Sequence, residues 1–163
     1  PTIKHFPGLG RVTGNTDYAA DVVDTEVGAD SPDVDVYRTL LDEGPAAVMM
    51  ATAVYQRIDP SMPAAFSEPV VTGLLRDELG FDGVVMTDDI SATAQVERWA
   101  PADRAVLAVD AGVDLLLLSA DTSVFPEMYE AVLQRAKTEP AFAEKVDAAA
   151  GRILRLKEAF PGE

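Results

Sequence analysis

Short apolar runs alternate along the chain with stretches whose apolar residues recur at helical spacing. The apolar runs cover residues 2–6, 46–55, 83–87 and 114–119. A strand followed by a helical stretch, repeated in this way, predicts βα units on a parallel sheet. The stretches 84–86 and 115–118 are apolar at every position, which is typical of strands that are covered on both faces.

The stretches between the apolar runs are predicted helices. Apolar residues have helical spacing in 34–41 and 70–79, and Ser67 and Gly80 provide start and stop signals for the second stretch. Pro101 and Gly112 bracket a third helix in the same way, and residues 125–137 and 141–160 form two more. The chain therefore contains about four βα units, and its predicted class is α/β.

Four βα units make up half of a (β/α)8 barrel of the TIM type, which needs roughly 250 residues. This chain has 163. We therefore expect residues 1–163 to be half of one barrel domain, with the missing half on an upstream segment or on another chain. The alternative is a small open α/β sheet that is complete in itself, although its apolar edge strands would then stay unpaired.

Composition and charge exclude several classes of partner. The chain has 28 acidic and 13 basic residues, with a formal net charge of -15, which repels phosphate backbones and anionic lipid surfaces. We therefore expect neither nucleic acid nor a membrane as a partner, and the apolar runs are too short to span a bilayer. Without cysteine and with one histidine, no metal site or cofactor is predicted. The compartment stays open.

Two polar side chains end the first apolar run. Lys4 and His5 precede Pro7, and the aperiodic segment 8–31 follows, rich in Gly, Thr, Asn and Asp. Carboxyl ends of parallel strands are where α/β folds bind ligands, and long loops in compact domains are often functional. Taken alone, the two residues are equally well explained as a surface lysine and a core histidine with satisfied hydrogen bonds.

A second candidate site follows the third apolar run, where Asp88 and Asp89 come directly after Val84 to Thr87. An apolar strand that ends in two aspartates directs at least one carboxylate into the ligand-binding end of a barrel. The competing interpretation is that one aspartate caps the turn over residues 90–97. We favour that capping role for Asp89 and a functional role for Asp88.

These segments together resemble glycoside hydrolase family 3, in its β-N-acetylhexosaminidase branch. The resemblance follows family order through Lys-His-Phe-Pro-Gly at 4–8, Ala-Val-Met-Met-Ala at 47–51, Leu-Arg at 75–76, Gly-Phe-Asp-Gly-Val-Val at 80–85 and Thr-Asp-Asp at 87–89. It covers most of the chain and implies the C-terminal half of the barrel domain. It also implies a retaining mechanism in which Asp88 attacks the anomeric carbon, with Lys4 and His5 hydrogen-bonding sugar hydroxyls.

The chain departs from the family pattern in the long loop. This branch usually carries an Asp-Ser-His triplet there, whose histidine is the general acid and base, whereas this chain has Asn15, Thr16 and Asp17. An aspartate acid would be disfavoured by a second carboxylate beside it, so the two replacements are chemically consistent. The hypothesis is that Asp17 replaces the histidine as general acid and base and that Asn15 positions either Asp17 or the loop. The alternative is ordinary turn chemistry. Thr52 or a neighbour stands where the family often has another histidine.

The predicted function is an exo-acting β-N-acetylglucosaminidase that removes terminal β-linked GlcNAc from a carbohydrate substrate. A β-glucosidase or a β-N-acetylglucosaminide phosphorylase on the same fold remains an alternative. An alternative of a different class is a non-catalytic carbohydrate-binding or assembly module, which the altered triplet and the half-length chain would suit.

Overall fold

A computed structural model describes residues 1–44 and 47–159 of the chain. The strands are β1 (Thr2–Phe6), β2 (Val23–Asp24), β3 (Ala47–Met50), β4 (Val54–Tyr55), β5 (Asp59–Pro63), β6 (Val84–Asp89) and β7 (Leu115–Leu117). The α-helices are α1 (Pro32–Asp42), α2 (Pro101–Ala111), α3 (Phe125–Thr138) and α4 (Pro140–Ala159), and Pro69–Glu78 is a π-helix. Short 3₁₀ helices span Ala64–Phe66, Ala94–Val96 and Thr122–Val124.

Proline is the first residue of α1, α2, α4 and the π-helix, and glycine follows two of these helices. Pro32, Pro69, Pro101 and Pro140 are the first residues of their helices, where a missing N–H costs no intrahelical hydrogen bond. Gly112 ends α2 at φ 104°, and Gly80 follows the π-helix at φ 74°, in the left-handed region that glycine adopts without strain. The boundaries predicted from Ser67, Gly80, Pro101 and Gly112 are therefore confirmed.

The main sheet has four parallel strands in the order β1-β3-β6-β7. Strands that are neighbours in the sheet are thus successive βα units of the chain, as in a (β/α)8 barrel. The predicted α/β class, with a parallel sheet that forms part of such a barrel, is confirmed. None of the helices within residues 1–44 and 47–159 is both long and apolar enough to cross a membrane.

The helices cover one face of this sheet. Val48 and Val85 are registered partners on that face and are fully buried. Lys4, Met49, Met86 and Leu115 are registered partners on the opposite face, where Lys4 is exposed, the two methionines are half-buried and Leu115 is 37% exposed. The all-apolar strands are therefore covered on the helical side and open on the side that would face the centre of a barrel.

The predicted run 46–55 is two strands rather than one. Ala46 lies outside the described residues, β3 ends at Met50, and the chain then turns into β4, which belongs to a second, three-stranded sheet with β2 and β5. The pattern did not show the turn because Ala51, Ala53 and Val54 are buried like their strand neighbours. The segment 8–31 is mostly irregular, as predicted, but it also contains β2. The last predicted helix, 141–160, corresponds to α4 as far as Ala159, and Phe160 lies outside the described residues.

Candidate active site

The site lies at the carboxyl ends of β1 and β6. Asp88 is the fifth residue of β6, where Val85, Thr87 and Asp89 are buried while Met86 and Asp88 are half-buried. Strand alternation thus turns Asp88 toward the open face. Its Oδ2 lies 3.6 Å from Nε2 of His5, and the two side chains are 24% and 27% exposed. Asp88 Oδ1 accepts a hydrogen bond from the Asp89 N–H at 2.8 Å.

His5 lies in the electrostatic field of three neighbours. Burial lowers the pKa of His5 below 6.5, the Asp88 carboxylate opposes that shift, Lys4 adds to it, and Asp17 opposes it. The net direction is down because burial and the Lys4 charge together disfavour the imidazolium more than the two carboxylates favour it. At neutral pH the imidazole is therefore mostly uncharged and can both donate and accept a hydrogen bond.

The long loop brings Asp17 to the same place. One cavity of about 480 Å³ is lined by residues of β1, β6 and this loop, namely His5, Leu9, Val12, Thr13, Gly14, Asn15, Thr16, Asp17 and Asp88. A second cavity of about 330 Å³ also has Asp17 and Asp88 in its lining, together with Tyr18, Asp89, Ala92, Thr93, Ser119 and Ala120. The two aspartates therefore stand at the junction of two spaces that are large enough for small ligands.

Asn15 forms the turn that presents Asp17. Its side-chain Oδ1 accepts a hydrogen bond from the Asp17 N–H at 2.9 Å, and its carbonyl accepts from Tyr18 and Ala19. Asn15 thus stabilises the backbone of the turn. An asparagine in an ordinary turn makes the same hydrogen bond, so this contact fits both interpretations of the loop. Asp17 itself is exposed, so its carboxylate is accessible from both cavities.

Asp89 has a different role from Asp88. Its Oδ1 accepts from the Ser91 N–H at 2.7 Å and the Ser91 hydroxyl at 2.6 Å, and its Oδ2 accepts from the Ala120 N–H at 2.9 Å. Burial raises the pKa of Asp89, but the hydrogen bonds from Ser91, Ala120 and Ser119 together outweigh it, so the pKa lies below its usual value. Asp89 therefore joins the turn after β6 to the end of β7, in line with the capping role expected for it.

Lys4 and Thr52 lie outside the two cavities. Lys4 precedes His5 on the open face of the sheet, close enough to lower the pKa of His5, but it lines neither cavity. Thr52 is 1% exposed, and its hydroxyl has no hydrogen-bond partner among the described residues. Of the predicted site residues, the structure thus brings His5, Asn15, Asp17 and Asp88 around one cavity and leaves Lys4 beside it.

Two further residues at the site were not predicted from the sequence. Tyr18 is 86% exposed and lines the second cavity, where its ring is accessible to a ligand. Gln95 is buried and contacts the long loop from the turn after β6. Neither position belongs to a periodic pattern or to a motif, so a fold was needed to find them.

Other surfaces match the predicted chemistry less well. A larger cavity of about 580 Å³ lies near the start of α1, but Arg11 in its wall is already paired with Glu26 and Asp33 at 2.9 Å. Within residues 1–44 and 47–159, no group of three or more His, Asp or Glu side chains is arranged to hold a metal ion. The best candidate for chemistry is therefore the cavity that His5, Asp17 and Asp88 line together.

Several proteins of known structure are similar to this chain in both sequence and fold. Over 96% of this chain, the crystal structure of a β-N-acetylhexosaminidase from Beutenbergia cavernae matches at 55% identity and a TM-score of 0.95, and 46% of that chain is covered. A glycoside hydrolase family 3 β-N-acetylglucosaminidase from Paenibacillus matches at 33% identity and a TM-score of 0.87, over 96% of this chain and 30% of that one.

Curated relatives and a family model agree with these structures. A β-hexosaminidase of Methylobacillus flagellatus is 37% identical over 116 residues, which are 71% of this chain and 33% of the relative. The chain thus spans about a third of the length of the first curated relatives that it matches. The model of the glycosyl hydrolase family 3 N-terminal domain matches residues 1–156. The predicted family is confirmed, and the chain belongs to glycosyl hydrolase family 3.

Proposed function

We propose that this chain is the C-terminal half of the barrel domain of a retaining exo-β-N-acetylglucosaminidase, which releases terminal β-linked GlcNAc. The observation that carries the proposal is the position of Asp88, at the end of β6 with Oδ2 3.6 Å from His5 Nε2, in two cavities that it shares with Asp17. The segment that completes the barrel would supply the other walls of the sugar site.

In this proposal Asp88 is the nucleophile. A carboxylate oxygen attacks the anomeric carbon while the bond from that carbon to the glycosidic oxygen breaks, which forms a glycosyl ester on Asp88. Water then attacks the same carbon, releases the sugar and regenerates the carboxylate. The 24% exposure of the Asp88 side chain and its orientation toward the open face support this role.

Asp17 is the proposed general acid and base. It would give a proton to the leaving oxygen in the first step and take one from the attacking water in the second. Its place in both cavities beside Asp88 supports this assignment. The neutral Asn15 side chain holds the turn by accepting a hydrogen bond from the Asp17 N–H, and it places no second carboxylate there.

His5 and Lys4 are the proposed ligands of sugar hydroxyls. An uncharged His5 imidazole can donate to one hydroxyl oxygen and accept from another, and the Lys4 ammonium group can donate only. The exposed ring of Tyr18 provides an apolar wall in the second cavity, which suits a second sugar ring or the leaving group. The names of the similar proteins support N-acetylglucosamine over glucose as the sugar.

Charge favours hydrolysis over phosphorolysis. A phosphate dianion that attacked the glycosyl ester would approach the Asp17 carboxylate, inside a chain of formal net charge -15. Like charges raise the cost of that approach, whereas water carries no charge. A phosphate titration that yields free GlcNAc and no sugar phosphate agrees with this proposal, and accumulation of sugar phosphate contradicts it.

Covalent trapping tests the proposed nucleophile. The complete barrel protein is incubated with a slow, fluorinated GlcNAc derivative that has an activated leaving group, and its intact mass is measured. We expect the mass to increase by one sugar residue located on Asp88, and we expect Asp88→Ala to show no adduct and a loss in kcat on the order of 10³-fold or more. Sugar binding without any adduct would instead favour a non-catalytic binding module.

A further inference from the structure

A buried glutamine contacts the long loop from another part of the chain. Gln95, 5% exposed, belongs to the 3₁₀ helix Ala94–Val96 that follows β6. Its Oε1 accepts from the Val22 N–H at 2.7 Å, and its Nε2 donates to the Val22 carbonyl at 3.1 Å, although the two residues are 73 positions apart. The side-chain oxygen contacts a donor and the side-chain nitrogen contacts an acceptor, so these two partners fix the orientation of the amide.

The backbone of the same 3₁₀ helix contacts the turn that contains Asp17. The Gln95 N–H donates to the Thr16 carbonyl at 3.1 Å, and the Ala94 N–H donates to the Asp17 carbonyl at 3.2 Å. Gln95 therefore holds both ends of segment 16–22, with its main chain at Thr16 and its side chain at Val22. This segment is thus attached directly to the turn that follows Asp88.

Val22 would lose a specific partner without this side chain. Its carbonyl also accepts from the Val54 N–H at 3.0 Å, but its N–H is paired with Gln95 Oε1, and Val22 is 6% exposed. A buried N–H without a partner is unfavourable, so the loop would open at this end to reach water. Opening there would allow the Asp17 carboxylate to move relative to Asp88.

We propose that Gln95 is a positioning residue that fixes the Asp17 turn against the turn after β6 and thereby holds the proposed acid beside the proposed nucleophile. This inference rests on the proposed function of Asp17 and Asp88. A general acid acts only when its proton is within hydrogen-bond reach of the leaving oxygen. Loss of positioning therefore slows substrates with poor leaving groups and spares those whose leaving group needs no proton.

The test compares three glutamine variants in the complete barrel protein. Gln95→Met keeps the length of the side chain and removes both of its polar atoms, and Gln95→Glu keeps an acceptor for the Val22 N–H. Gln134→Met makes the same substitution at an exposed position of α3, where the side-chain amide donates to Glu130. Hydrogen exchange of the backbone N–H groups in segment 15–22 reports the position of the loop without any substrate.

We expect Gln95→Met to speed exchange in segment 15–22 and to lower kcat for a GlcNAc disaccharide by about tenfold to a hundredfold, while kcat for an activated aryl glycoside changes less than about threefold. Gln95→Glu, whose neutral acid form keeps both hydrogen bonds to Val22, should lie closer to the parent in exchange and in kcat, and Gln134→Met should match the parent in both. If Gln95→Met does not fold, Gln95→Glu is compared with the parent instead. We then expect exchange in segment 15–22 to be faster, and kcat for the disaccharide to fall more than kcat for the aryl glycoside, but both effects to be smaller.

Other outcomes overturn the inference. Unchanged exchange in folded Gln95→Met would show that the glutamine does not hold the segment. Faster exchange with an equal loss of kcat on both substrates would show a structural role only. Failure of the proposed function is recognised separately, because Asp17→Asn would then leave the leaving-group dependence unchanged, whatever the exchange of the Gln95 variants.

Discussion

The protonation of His5 reflects a balance between burial and charge. Burial lowers the pKa of His5, Asp88 and Asp17 raise it, and Lys4 lowers it. Because the net direction is down, the folded chain binds a proton at His5 less readily than the unfolded chain does, for which the pKa is about 6.5. The contribution of His5 to the free energy of unfolding is therefore greatest above pH 6.5, and it is lost as the pH falls through the pKa of the folded chain.

A titration of this histidine tests the arrangement of the site. His5 is the one histidine of the chain, so its ring signals in an NMR spectrum need no assignment. We expect a pKa below 6.5, a lower pKa in Asp88→Asn and a higher pKa in Lys4→Met, because the first change removes a carboxylate that favours the imidazolium and the second removes a cation that opposes it. Asp147→Asn, at an exposed position of α4, should leave it unchanged. A rise in Asp88→Asn would contradict the geometry.

Among the site residues, those at the end of an apolar strand could be predicted from the sequence. Asp88 follows an apolar strand, so its place at the open end of the sheet was predictable from the pattern alone. The contacts of Gln95 were not, because its partners Thr16 and Val22 depend on how the long loop folds back over the turn after β6. Proximity across such a distance in sequence arises from the fold and leaves no local pattern.

At the opposite end of the strands, a buried ion cluster connects the elements. Asp114, with a side chain 1% exposed, accepts from Arg76 at 2.8 Å, from Arg152 at 3.0 Å and from the Val85 N–H at 2.8 Å. Arg76 also donates to the carbonyls of Gly83 and Gly112. The π-helix, β6, α4 and the turn before β7 are thus held together at one carboxylate.

Removing Arg76 should destabilise the fold strongly. Arg76→Met leaves the Asp114 carboxylate buried with a single cation and several carbonyls without a donor, and we expect a loss of about 3 kcal/mol in the free energy of unfolding. Urea unfolding measures it. The matched control is Arg38→Met, which removes more exposed ion pairs with Asp35 and Glu78 and should cost less than about 1 kcal/mol. Equal losses in the two variants would contradict a structural role for the cluster.

The elements themselves were predictable to different degrees. The parallel strands and the helices follow from apolar spacing and from Pro and Gly at their ends, since burial imposes those patterns. The division of residues 46–55 into β3 and β4 was missed because burial continues through the turn, and the π-helical form of Pro69–Glu78 has no counterpart in the apolar spacing. Nothing in the pattern marked Asp114, at the start of the apolar run 114–119, as the centre of a buried ion cluster, because such a cluster depends on partners from distant elements.

At the scale of the whole chain, helices cover one face of the main four-stranded sheet and leave the other face open. Met49 and Met86 are half-buried there, and Leu115 is 37% exposed on the edge strand β7. A barrel covers this face with side chains from its other strands and pairs both edges. The chain spans 46% of the Beutenbergia cavernae protein, which agrees with a partner segment that supplies the remaining strands.

An open apolar face predicts self-association of the chain when it is studied alone. Exposed apolar surface and unpaired strand edges favour pairing with another copy, so we expect concentration-dependent oligomers in sedimentation velocity, and a one-to-one complex when the segment with the missing strands is present. Leu115→Glu should weaken self-association because it places a charge on the open face. Leu40→Glu is the matched control, since Leu40 is 38% exposed on α1. A chain that stays monomeric at all concentrations, or equal effects of the two substitutions, would mean that this face needs no partner.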